Sequence, residues 1–96
     1  MANSDVAGAT YTLQAATPTF DPPSRSFILP LSVTISSASP GVTIYYTTDG
    51  STPTTSSNQY NGPITVVLTT TIKAIAVRSG WSQSAVGSAT YNFIGL

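Results

Sequence analysis

The feature that most constrains this chain is a two-residue alternation of apolar and hydroxyl side chains, broken every few residues by glycine or proline. Leu31-Ser32-Val33-Thr34-Ile35 places its aliphatic side chains on one face of an extended strand and its hydroxyls on the other. A helix requires apolar residues recurring at three and four positions, and no stretch of about 11 residues sustains that period. The chain is therefore expected to be built of strands.

Further segments repeat the pattern between turn signals. Pro40-Gly41 turns the chain into Val42–Thr48, where Val42, Ile44 and Tyr46 are expected to face the core and Thr43, Tyr45 and Thr47 to face away. Asp49-Gly50 ends that strand with a pair that tolerates positive φ, and a loop follows from Ser51 to Asn58. Tyr60 leads into a second turn, Asn61-Gly62-Pro63, after which Ile64, Val66 and Leu68 are expected to alternate inward. Thr71–Arg78 is apolar on both faces and reads as a central strand, and Ser79–Gln83 turns the chain again. Ser84–Phe93 is expected to be the last strand, with Ala89, Tyr91 and Phe93 on one side. Six or seven short strands at this spacing predict an all-β fold, an antiparallel β-sandwich.

Composition narrows the function. The 96 residues suffice for one two-layer core. Only 6% of them are charged, against about a quarter in an ordinary soluble domain, and Ser and Thr take the place of charge. Arg25, Lys73 and Arg78 balance Asp5, Asp21 and Asp49, so there is no electrostatic footprint for nucleic acid or anionic lipid. Cysteine is absent, so the core must hold by packing alone. The longest aliphatic run, Ile64–Leu68, is interrupted by Thr65 and falls far short of the ~20 residues of a membrane-spanning helix, so no membrane insertion is expected. Met1–Ser4 lacks the basic and apolar regions of a secretion signal, as expected of a piece of a longer protein.

Catalysis is hard to assemble from these residues. With no His, Cys or Glu, a Ser or Thr nucleophile has no imidazole base, and a carboxylate pair would have to come from three scattered Asp. Lys73 at an outward strand position reads as a solvated charge. Asp49 with neighbouring hydroxyls offers too few oxygens for calcium, and reads instead as an acceptor of backbone N–H bonds in its own turn. No enzymatic activity and no cofactor are expected. Trp81, in a Gly-Trp-Ser loop, is the candidate contact for a sugar ring or a protein partner, with Tyr45 and Tyr60 as candidates to extend its platform.

The ends of the chain carry a repeat. Ser4–Leu13 aligns at an offset of 80 residues with Ser84–Phe93, matching Ser, Val, Ala, Thr and Tyr. It reads as a copy of the last strand of a preceding unit in a tandem array. The expected organisation is a borrowed strand or linker over 1–13 and the sandwich over 14–96. A spare strand can also pair with a neighbouring molecule, so self-association through Ser4–Leu13 is a second expectation.

Tyr45–Thr54, Tyr60-Asn61-Gly62-Pro63-Ile64, Thr70–Ala76 and Ser84–Tyr91 together resemble the chitobiase/β-hexosaminidase C-terminal domain family and the related Fn3-associated repeats, over roughly Pro18 to Phe93. The resemblance implies an immunoglobulin-like antiparallel β-sandwich, here of about seven strands. It also implies a non-catalytic module attached to glycoside hydrolases, or strung along bacterial secreted and cell-wall proteins, with neighbouring domains of the same polypeptide or a polysaccharide as its partners.

Overall fold

The computed structural model describes residues 13–95, and these form eight strands and no helix: β1 (Thr19–Asp21), β2 (Arg25–Phe27), β3 (Leu31–Ser36), β4 (Thr43–Thr47), β5 (Asn58–Gln59), β6 (Ile64–Val66), β7 (Thr70–Val77) and β8 (Gly87–Phe93). β1, β3 and β6 make a three-stranded sheet in the order β1-β3-β6, and the rest make a five-stranded sheet in the order β2-β8-β7-β4-β5. All pairings are antiparallel except β2 with β8. The first strand is split: after β1 the chain passes Pro22-Pro23 and changes sheet, because consecutive prolines cannot supply the ladder's N–H donors.

The alternation at β3 does what the sequence demands. Val33 and Ile35 are buried while Ser32, Thr34 and Ser36 are exposed. They meet Val66 from their own sheet and Phe27, Ile72, Ala74, Ala89 and Tyr91 from the other, with Ile44 and Tyr46 packed alongside. Each such large aliphatic or aromatic burial contributes about 1.5–3 kcal/mol. β7 is central, paired on both sides, and Ile72, Ala74, Ile75 and Ala76 are all fully buried. Ile75 lies outside the inter-sheet cluster, on the outer face, opposite Tyr45. The Asp49–Ser57 loop folds back on that side: Thr47, on the same face, donates through Oγ1 to the Ser51 carbonyl at 2.7 Å, and Pro53 is fully buried.

Three expectations need correction. Leu68 does not point inward; it is 66% exposed, because β6 ends at Val66 and the chain there crosses between sheets. The last strand begins at Gly87 rather than Ser84, because Ser84 stands opposite Ala76, whereas continuing the Ala74–Gly87 register would bring Ala85 there. Val42 is half-buried and stays outside the core cluster that takes in Ile44 and Tyr46.

The start of β8 lies close against the chain entering β1 at Gly87. A Cβ on Gly87 would lie 2.5 Å from the Pro18 carbonyl oxygen and 3.3 Å from the Phe20 ring, so only glycine fits between these backbones.

The sandwich has two distinct poles. At one, the β3–β4 and β7–β8 turns receive the segment Leu13–Ala16: the Ser82 N–H donates to the Leu13 carbonyl at 2.7 Å, and the Ala15 N–H donates to the Ser82 carbonyl at 3.0 Å. The Ala16 N–H donates to Ser39 Oγ and its carbonyl accepts from Ser37 Oγ, both at 2.8 Å. At the other pole lie the β2–β3 and β6–β7 connections and the end of β8. Of the expected borrowed strand Ser4–Leu13, only Leu13 is among the described residues.

Candidate functional site

Trp81 belongs to the pole that receives Leu13–Ala16. Gly80, at φ +81°, lets the chain reverse after β7, and the Trp81 N–H donates to the Arg78 carbonyl at 3.0 Å. The Arg78 guanidinium lies 4.4 Å from the centre of the Trp81 ring and donates through Nη1 to the Pro40 carbonyl at 2.9 Å. Arg78 thus ties together the two turns of this pole and covers one face of the half-buried indole.

The two tyrosines do not extend that surface as one platform. Tyr60 packs against the core cluster, its ring edge-on to Tyr46 at 6.3 Å, and its N–H donates to the Ile44 carbonyl at 2.7 Å. Tyr45 alternates to the opposite face of the sheet, beside Ile75. The signal that could have placed Tyr60 is its position just before Asn61-Gly62-Pro63: the chain passes there from the five-stranded to the three-stranded sheet and carries the ring across the core.

The Asp49 turn is a closed local network. Asp49 Oδ1 accepts the Ser51 N–H at 3.0 Å and the Ser51 hydroxyl at 2.6 Å. These bonds, the hydroxyl first, hold the carboxyl below its usual range. Gly50 takes φ +80°, and Asp49 bridges to Thr71 of β7. The hollow beside it, about 240 Å³, is walled by Thr47, Thr48, Ser51, Ser56, Ser57 and Asn58 around that single carboxylate. Among the described residues no three acidic, imidazole or thiol groups converge to hold a metal. Lys73 is half-buried on the outer face, between Thr47 and Ser88. Asn61 is exposed, Gly62 half-buried and Pro63 exposed, and together they deliver the chain to the edge strand β6, where a missing N–H is tolerated.

The opposite pole is apolar, and it was not singled out by the sequence. Ile28, Leu29, Val67, Leu68 and Ile94, five of the seven large hydrophobic side chains exposed among the described residues, gather there. A groove of about 350 Å³ runs between Phe27–Leu31 and Ile94.

Two sheets packed face to face, with the first strand shared between them, define an immunoglobulin-like β-sandwich module. The chain belongs to the chitobiase/beta-hexosaminidase C-terminal domain family, which matches residues 22–88, from the crossover after β1 into β8. No curated protein and no solved structure matches it significantly.

Proposed function

We propose that this chain is a non-catalytic structural module that spaces neighbouring domains in a secreted or cell-surface bacterial protein, as one unit of a tandem array. The observation that carries the reading is the placement of the two ends of the sandwich. The chain is stapled to one pole at Leu13–Ala16 and leaves β8 at the other, so each unit extends the polypeptide instead of folding it back. The family's name, which refers to the C-terminal domain of two glycosidases, agrees with an accessory role.

A carbohydrate-binding accessory module is the competing reading, favoured by the half-buried indole of Trp81. Against it, Arg78 occupies one ring face and Tyr60 faces the core. Chitin oligosaccharides, soluble cellulose fragments and peptidoglycan fragments, titrated while Trp81 fluorescence is followed, separate the two. The spacer reading expects no saturable response; a saturable one abolished by Trp81→Ala would replace it with glycan binding.

A further inference from the structure

We infer that the apolar pole is a docking face for a second copy of this domain, following directly in the same polypeptide and presenting its Trp81 pole. The inference rests on the tandem-array reading and adds to it the way consecutive units touch.

Register carries the argument. At the offset of 80 residues, Leu13 aligns with Phe93. Phe93 closes β8 at the apolar pole: its N–H donates to Thr69 Oγ1 at 3.0 Å and its ring lies 5.5 Å from that of Phe27. Leu13 sits at the opposite pole, its carbonyl accepting the Ser82 N–H at 2.7 Å. In an array of this period one residue does both jobs, ending β8 of one unit and beginning the staple of the next. A single residue spans about 3.8 Å, so no linker separates the poles and they must meet.

The surfaces suit such a meeting. One pole offers Ile28, Leu29, Val67 and Leu68; the other offers Trp81 stacked on Arg78, two of the residue types enriched in the centres of interfaces. Leu13 is 59% exposed here. In the array it occupies the Phe93 position of the preceding unit, against the residue equivalent to Phe27. An exposed leucine and an exposed apolar pole thus have one explanation.

The test joins Met1–Phe93 directly to Gln14–Leu96 and compares this two-unit chain with the single chain. Docking predicts a thermal midpoint above that of the single chain and one fixed relative orientation in small-angle scattering. It also predicts a fall of about half in anilinonaphthalenesulfonate fluorescence per unit, because one of two apolar poles is covered. Leu29→Asp with Leu68→Asp in the first unit, or a six-residue Gly-Ser insertion after Phe93, should restore the single-chain values. The insertion changes no residue of either fold, so it remains decisive if the aspartates impair folding. A two-unit chain that melts at the single-chain midpoint, tumbles freely and binds as much dye per unit overturns the inference and leaves a flexible spacer. Single chains that dimerise regardless of Leu29→Asp, and only when Ser4–Leu13 is present, overturn it in favour of strand exchange. Glycan binding would sink the spacer reading without affecting the junction.

Discussion

Gly87→Ala tests how closely the two sheets are fitted. The new methyl would lie 2.5 Å from the Pro18 carbonyl oxygen, where ordinary contact begins at 3.4 Å, and the obstacle is backbone rather than a side chain that can swing away. Overpacking of this kind costs about 1–3 kcal/mol, and a rigid obstacle places it toward the upper end. Removing glycine's freedom from the unfolded chain returns about 0.4–1 kcal/mol. The net loss is about 2 kcal/mol, which for a domain of this size lowers the thermal midpoint by roughly 8–16 °C. Gly62→Ala is the matched control: nothing lies within 4 Å of its Cβ position, so only the small gain from the unfolded state should appear. Thermal and urea unfolding, followed by circular dichroism and Trp81 fluorescence, measure both. Equal shifts in the two variants would refute the close approach at Gly87.

Ser84→Ala should cost about 1–3 kcal/mol in urea unfolding, because the buried hydroxyl accepts the Ala76 N–H at 2.8 Å and its loss leaves that donor unpaired. Tyr91→Phe should cost about 1–2 kcal/mol, since the phenol of this fully buried ring donates to the Pro22 carbonyl at 2.6 Å. Burial first, and the charge of Asp21 second, raise the Tyr91 phenol above its ordinary 10.0, so its contribution is intact below pH 10.0 and is lost as pH rises through the folded value. Urea midpoints on either side of that pH should fall for the native chain and less steeply for Tyr91→Phe. On the acid side, the lowered Asp49 carboxyl adds stability that is present above its ordinary 3.8 and lost as pH falls through the folded value, a slope that Asp49→Asn should flatten. Arg78→Gln should shift Trp81 emission to longer wavelength and cost about 0.5–1 kcal/mol; unchanged emission would contradict the stack.

How far the sequence could be read depended on the length of each element. β3 and β7 are long enough for period two to show, so Val33, Ile35 and the two-faced β7 were legible. β1 and β2 have three residues each around Pro22-Pro23, too few to display a period, and their assignment to different sheets is a tertiary fact. Leu68 continues the alternation in sequence while the backbone turns a corner, so the pattern outlasts the strand that made it. Tyr60 looked like a surface ring because loops are usually wet, yet this loop crosses between the sheets and buries its aromatic on the way. The apolar pole escaped because its members, Ile28-Leu29, Val67-Leu68 and Ile94, come from two connections and the end of β8, far apart in sequence.

The close approach at Gly87 also sorts strands. This chain carries two similar strand sequences, Ser4–Leu13 and Ser84–Phe93, and only the second supplies β8. At the 80-residue offset Ser4–Leu13 brings Ala7 to the position of Gly87. Its methyl would meet the same Pro18 oxygen at 2.5 Å. If the penalty matches the ~2 kcal/mol of Gly87→Ala, the slot prefers its own strand roughly 30-fold over the copy. A single hydrogen in place of a methyl group then distinguishes this domain's own last strand from the similar sequence at Ser4–Leu13.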